Sequence, residues 1–283
     1  FGTFHSVFFM ILKLAYRYQA SNIVKEEQRI QFIREQLDQT DLEIEDEGEF
    51  ISSVLSEISL IKGELMSLDN YYAKSCSQTV FKELYDGYEH RLRKQGLLDF
   101  DDMLAMCYEL FKERKDILQA WQRKYKYILI DEFQDINQIQ YEIVKLLAGK
   151  KRNLFVVGDD DQSVYGFRGA TPGIMRRFQE DFPGSSIVRL SINYRSSQFI
   201  VEASDRVIQK NRQRFSKELQ AVHGQGRPVH VQEVKDMEQE ADYVAAEVNK
   251  KLREGIPPEE IAIIFRTVQD ASITITAFLN RGI

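Results

Sequence analysis

YKYILIDEFQDINQIQYEIV, from Tyr125 to Val144, changes character partway along. The run Tyr127 to Ile130 is almost wholly apolar and leads into Asp131 and Glu132, with Asp135 one turn later. A short apolar run of this kind marks a strand buried on both faces of a parallel sheet. The following segment, QIQYEIVKLLAG, has helical spacing and is closed by Gly149. A strand over 127–131 followed by a helix to Gly149 is one β-α step, and the pattern repeats. NLFVVGD (Asn153 to Asp159) predicts a second buried strand, then a helix over 172–181. IVRLSINYRSS carries a further strand, followed by a helix over 198–211. VHVQEV (229–234) and IAIIFRT (261–267) predict two more strands, on either side of a helix closed by Gly255. A last helix runs to Gly282. Alternating strands and helices predict an α/β fold with a parallel sheet.

The residues before Tyr125 read differently. Residues 7–18 have helical spacing. Residues 25–70 are charged, contain no Pro, and place Ile and Leu at helical intervals, predicting helices of an all-α region. The acid run DLEIEDEGEF (Asp41 to Phe50) is a solvated loop or a helix start. Helix is predicted to continue over 71–96 and to end near Gly96. LLDFDDMLAMCYELF then predicts a helix with Asp99 as its N-cap. FPGSS (Phe182 to Ser186) is the best boundary between two α/β units.

Composition narrows the function class. The 283 residues are 43% hydrophobic and 29% charged, enough for a real core and more consistent with two domains than one. A net charge of -6 argues against a globally basic nucleic-acid coat. It leaves room for a local basic groove, because affinity follows the charge that faces the phosphates. Cys76 and Cys107 lack metal-ligand spacing and read as reduced thiols of a cytoplasmic protein. No apolar run approaches ~20 residues, so no membrane helix and no membrane partner are expected. FGTFHSVFFMILKLAYRY reads as a buried amphipathic helix. The first residue is Phe rather than Met, so a fragment is expected.

Ligands of open α/β sheets bind at the carboxyl ends of the strands. Asp131 and Glu132 stand at one such end, and Asp159, Asp160 and Asp161 at the next. One carboxylate of an Asp-Glu pair can hold Mg²⁺, which keeps several waters and needs few protein ligands. The other can orient or deprotonate a water. An acid pair after an apolar strand can also be a helix N-cap; Asp135 reads as a cap of the following helix, and Asp160 and Asp161 as turn and cap residues. In VVGDDDQSVYGFRGA (Val156 to Ala170), Gln162 follows the acids, with Tyr165, Phe167 and Arg168 next. This aromatic and cationic group suits stacking on bases. LSINYRSS places Tyr194 and Arg195 just after a strand. Clustered acids also suggest a two-metal nuclease, but such sites need carboxylates converging on ions ~4 Å apart.

YILIDEFQD, VVGDDDQSVYGFRGA and LSINYRSS resemble motifs II, III and IV of the superfamily 1 DNA helicases of the UvrD, PcrA and Rep type. TFHS (Thr3 to Ser6), LLDFDDML (Leu97 to Leu104) and IAIIFRT resemble motif Ib, the segment before motif II, and motif IVa, in the family's order. The resemblance implies two RecA-like domains with a helical insertion: 1–18 and 97–183 in the first, 19–96 as the insertion, and 184–283 as the start of the second. It implies ATP and Mg²⁺ as cofactors, with Asp131 holding the metal and Glu132 as catalytic base. Gln162 would sense the γ-phosphate, Arg195 would contact it, and Tyr194 would pack on adenine. Thr3, His5, Phe100, Tyr165, Phe167 and Arg168 would line single-stranded DNA. Partners would be single strands, single-strand/duplex junctions and repair proteins. His5, Phe100 and Tyr194 also admit a plain packing role.

The family's phosphate loop, GxxxxGK[ST], is absent from the sequence. The nearest string, LAGKK (Leu147 to Lys151), lacks the first glycine and the hydroxyl residue, and reads as a helix end with a basic tail. The expectation is therefore a central fragment of a 3′-to-5′ DNA motor, inactive by itself. The alternative is a non-enzymatic, helicase-derived module that binds DNA or a partner protein.

Overall fold

The structure is a computed structural model. It describes residues 1–40, 42, 44–164, 173–212, 214–267 and 270–283. The chain divides into two compact units, Phe1–Leu190 with Ile208–Glu218, and Ser191–Val207 with Leu219–Ile283. No helix among the described residues is long and apolar enough to cross a membrane.

The first unit opens with α1 (Phe4–Tyr16), started by Thr3, whose Oγ1 accepts from the Ser6 amide at 3.2 Å. Three helices follow: α2 (Glu26–Leu37), α3 (Glu47–Gly63) and α4 (Gln78–Gln95). Their apolar faces close a core of their own around Ile33, Val54, Ile58, Phe81 and Tyr88. Helix α3 starts within the acid run, with Asp46 accepting from the Glu49 amide at 2.9 Å.

The helix expected over 71–96 begins only at Gln78. The reason is Glu57, a carboxylate only 8% exposed. It accepts from the Tyr71 hydroxyl at 2.7 Å and from the amides of Lys74 and Ser75 at 2.9 and 2.7 Å. Those amides satisfy a buried charge instead of a helical ladder.

Helix α5 (Phe100–Glu113) begins as expected at Asp99, in a reciprocal cap with Asp102. Its apolar residues Met103, Leu104, Cys107, Leu110 and Phe111 pack against α1, α6 (Lys115–Lys124) and α7 (Gln138–Ala148). Both cysteines are free, and burial pushes the Cys107 thiol up to about 12, far from reactive.

The start of α5 is also the most charged buried place in the unit. Burial, with the Asp99 charge behind it, raises the Asp101 and Asp102 carboxyls to about 6 and about 7. A carboxyl that holds its proton more tightly folded than unfolded gives up stability as pH climbs from its unfolded value through its folded one. The unfolded value is 3.8, so the window is roughly pH 4 to 7. Urea midpoints should therefore fall between pH 5 and pH 8, and Asp101→Asn should flatten that fall. An equally steep fall in the variant would place the titration elsewhere.

Strands β1 (Ile128–Ile130) and β2 (Leu154–Val156) pair in parallel, Ile128 with Leu154 and Ile130 with Val156. Helix α7 crosses between them. Ile130, Ile136, Tyr141 and Val144 form a third core with Ile174 of α8 (Gly173–Asp181). The strands are not buried on both faces as expected: Leu129 is 73% and Phe155 60% exposed, because the described helices cover one side only.

The second unit holds β3 (Ile192–Ser197) and β4 (Gln220–His223), also parallel, with a register shift between Asn193 and Ser197. Helices α9 (Gln198–Ile208), α10 (Met237–Arg253) and α11 (Ala271–Arg281) complete it. The strands expected at 229–234 and 261–267 do not form among the described residues. Val231 and Ile264 are 86% and 92% exposed, and a strand-like sequence makes a strand only where a neighbour offers a ladder. The parallel α/β arrangement is present, but as two two-stranded pairs within a mostly helical chain.

Candidate active site

The acids of the opening stretch lie where the parallel pair ends. Beyond the strands the ladder runs one step further: the Val157 amide donates to Ile130 at 2.8 Å, and the Phe133 amide to Val157 at 2.9 Å. That brings the turn 131–135 beside the turn 158–163. Glu132 has left-handed backbone, φ 51° and ψ 43°, which costs a non-glycine residue roughly 1–2 kcal/mol. Strain of this kind persists only where the surroundings fix it, and such places cluster at functional sites. Here the Glu132 amide donates to Asp131 Oδ1 at 3.0 Å, and the Asp135 amide to the Glu132 carbonyl at 3.0 Å.

Gln134, only 2% exposed, fastens the two turns together. Its Nε2 donates to Glu132 Oε2 at 2.7 Å, and its Oε1 accepts from the Asp159 amide at 3.0 Å. The Ser163 hydroxyl donates to its carbonyl at 3.3 Å. Asp159 Oδ2 in turn accepts from Gln162 Nε2 at 2.7 Å. A continuous chain of contacts thus runs Glu132, Gln134, Asp159, Gln162. Gly158 lets it close: a β-carbon there would lie 2.6 Å from Gln134 Oε1 and 3.1 Å from the Phe133 nitrogen.

Asp131 and Glu132 are both exposed, and Asp131 Oδ2 has no protein partner among the described residues. One open carboxylate suits a hydrated Mg²⁺. Asp135 does not cap α7 as expected. Asn137 does, accepting from the Gln140 amide at 3.0 Å. Asp135 instead closes the turn, with Oδ1 buried and without a hydrogen bond; burial and the Glu132 charge raise its pKa.

The second acid cluster is structural. Lys217 forms ion pairs with Asp159, Asp160 and Asp161, and Arg214 grips Asp161 through two contacts at 2.8 and 2.7 Å. The Phe215 amide donates to Asp160 at 2.7 Å. An ammonium fills the place a cation would take; Asp160 and Asp161 lie in the turn as expected, but its cap is Asp159, which accepts from the Asp161 amide at 3.1 Å.

Thr3 is exposed as the cap of the helix that carries His5. The His5 and Phe100 rings meet edge to face, 5.2 Å apart, with Phe100 50% exposed. Burial lowers the His5 pKa. Tyr165, Phe167 and Arg168 lie outside the described residues. In the second unit, Tyr194 and Arg195 sit within β3 rather than after it, and both are exposed. Asn193 Oδ1 accepts from the amides of Arg195 and Ser196 at 2.9 and 2.8 Å, while His223 bonds the Tyr194 carbonyl at 2.8 Å.

Sequence reasoning did not single out Gln134, Lys217 or Arg214. Gln134 stood inside the quoted stretch, a polar residue between an apolar one and an acid, and its burial was the missing information. Lys217 and Arg214 lie more than 50 residues from their partners, and nothing local marks them.

The family model described as "UvrD/REP helicase N-terminal domain" matches residues 1–183, and that described as "UvrD-like helicase C-terminal domain" matches 188–283. The putative ATP-dependent DNA helicase YjcD of Bacillus subtilis is 38% identical over 269 residues, 94% of this chain and 35% of its own length. The ATP-dependent DNA helicase PcrA of Staphylococcus aureus is 38% identical over 197 residues, 70% of this chain and 27% of its own. PcrA of Staphylococcus epidermidis is 36% identical over 231 residues, 81% and 32% respectively. The chain spans about a third of the length of these curated relatives.

Proposed function

The chain belongs to the UvrD/REP helicase family, and from that premise we propose that it is the central part of an ATP-dependent DNA helicase that moves 3′ to 5′ along single-stranded DNA in repair or recombination. The observation that carries this reading is the contact chain from Glu132 through Gln134 and Asp159 to Gln162. It links an acid able to take a proton from water to an amide able to feel a terminal phosphate.

The proposed roles follow from the residues. Asp131 offers the open carboxylate for Mg²⁺, which when bound with ATP neutralises charge on the phosphates. Glu132, held by Gln134, orients a water and takes its proton. Gln162 reports the state of the phosphate end to the turn it shares with Asp159. Arg195 supplies a guanidinium for charge developing on the γ-phosphate, and Tyr194 a face for adenine. Thr3, His5 and Phe100, with Tyr165, Phe167 and Arg168, line the strand. Residues 19–96 form the helical insertion in a RecA-like domain of 1–18 and 97–183, and 184–283 begin the second. Junction DNA and repair proteins are the proposed partners, and the cytoplasm the proposed compartment.

The deciding experiment is DNA-stimulated ATP hydrolysis by the 283-residue chain beside the full-length protein. Hydrolysis in the full-length protein alone supports the reading. Hydrolysis by this chain would mean that phosphate is gripped without a GxxxxGK[ST] loop, and silence in both would leave a binding module. Two substitutions add detail. Gln134→Ala should lower kcat for ATP about tenfold and leave KM nearly unchanged, since it frees the base without touching ground-state binding. A rise in KM alone would mean that Gln134 serves nucleotide binding. Phe100→Ala should weaken oligo(dT) binding by roughly 1–3 kcal/mol, the worth of one base–aromatic stack. Unchanged affinity would make the His5–Phe100 contact plain packing.

A further inference from the structure

A groove of about 520 Å³ opens at the amino ends of β1 and β2, the opposite end of the pair from Asp131 and Asp159. It is bounded by α6, the end of α7 and the residues leading into both strands. Five cations line it: Lys115, Arg123, Lys126, Lys150 and Lys151. No carboxylate does, although the chain carries a net charge of -6. None of the five is paired with an acid among the described residues. Neighbouring cations are: Lys112 pairs with Glu109, Arg114 with Asp116, and Lys145 with Glu142. Acids are thus available on the surrounding surface and are kept out of the groove. Clustered like charge left unneutralised works against the compact state, so an anion is the natural occupant.

The rest of the lining narrows the anion. The amides of Gln119 and Asn153 stand on the walls, and Leu118, Tyr125 and Ile128 supply apolar and aromatic surface. A volume in the range of ligand pockets, with cations drawn from three separate segments, suits several phosphates rather than one. An apolar and aromatic floor suits a base. Gly149, with positive φ, allows the chain to turn from α7 into Lys150 and Lys151, and a β-carbon there would strike Gln122 Nε2 at 2.7 Å.

We propose that this groove is a second nucleic-acid site, which holds the phosphate backbone of a single strand away from the carboxylate end of the sheet. The inference rests on the lining and its charge, not on ATP hydrolysis, so it stands or falls separately from the helicase reading.

The test uses the 283-residue chain carrying Gln119→benzoylphenylalanine as a photocrosslinker on the groove wall, offered labelled oligo(dT), labelled ATP or labelled polyglutamate. Oligo(dT) should be captured, and Lys126→Glu/Lys150→Glu/Lys151→Glu should cut capture at least tenfold. In solution the triple variant should lower the slope of log affinity for oligo(dT) against log salt by about 2, at about 0.7 per lost phosphate contact on a single strand. The three lysines are exposed, so the fold should survive, and a matching far-ultraviolet circular dichroism spectrum checks it. Preferred capture of ATP would make the groove a free-nucleotide site, and preferred capture of polyglutamate an acidic-peptide site. Either result, or an unchanged salt slope in the triple variant, overturns the proposal.

Discussion

In the full-length protein, Glu132→Gln is expected to bind ATP nearly as well as the unaltered protein and to hydrolyse it 10²–10⁴-fold more slowly, the usual contribution of a positioned general base. The substitution keeps the size of the side chain and removes its ability to take a proton. It leaves Asp131 and its open oxygen in place, so metal and nucleotide binding should persist. The geometry adds a refinement. Gln134 Nε2 now donates to a carboxylate; in the variant it would face an amide that can turn its oxygen inward and keep the same contact. The turn 158–163 should therefore stay docked, and DNA binding should be unaffected. Single-turnover hydrolysis and equilibrium nucleotide binding, measured side by side, separate the outcomes. Hydrolysis at the normal rate would remove Glu132 from the role of base. Loss of nucleotide binding would mean that its carboxylate helps hold the metal, and that the left-handed backbone at this position serves coordination instead.

How much of this was legible in the sequence depended on whether the deciding contacts were local. The caps at Asp99 and Gly96 lie within four residues of what they cap, and three of the four strands, β1, β2 and β3, lie in segments that read as strands. What failed was non-local. The segment 71–77 has helical composition, but Glu57 takes its amides from across the helical core. Residues 229–234 alternate and 261–265 form an apolar run, as strands do, yet a ladder needs a partner that the local sequence does not supply. At the candidate site, a resemblance pointed to Asp131, Glu132 and Gln162, but not to what joins them. Gln134's contacts exist only once the turns 131–135 and 158–163 are brought together by β1 and β2, and those of Lys217 only once the segment 214–217 packs on the second turn.

The largest expected loss of stability comes from Lys62→Met. The Lys62 ammonium is 6% exposed and lies 2.5 Å from Glu89, 2.9 Å from Asp99 and 2.7 Å from Asp102. Burial alone would lower its pKa, but the three carboxylates outweigh that and hold it well above the ordinary value. The network extends further, since the Tyr88 hydroxyl donates to Asp99 at 3.0 Å and itself accepts from Arg29 Nε at 3.0 Å. One side chain of α3 thus ties α4 to the first turn of α5, where Phe100 is displayed. Replacing a buried ion pair whole can be neutral, but removing one partner strands the other charge, at a cost of about 3–5 kcal/mol. Methionine fills a similar volume, so the loss measured by urea unfolding should be electrostatic. The carboxyls should then take up protons more readily, making the loss greater at pH 8 than at pH 5. Adding Asp102→Asn should restore part of the stability, a coupling that a packing defect would not show. Because α5 would lose its anchor, oligo(dT) affinity should fall along with stability in the single variant and recover in the double. A loss below about 1 kcal/mol would mean that water reaches the carboxylates and that the junction is held by its apolar contacts instead.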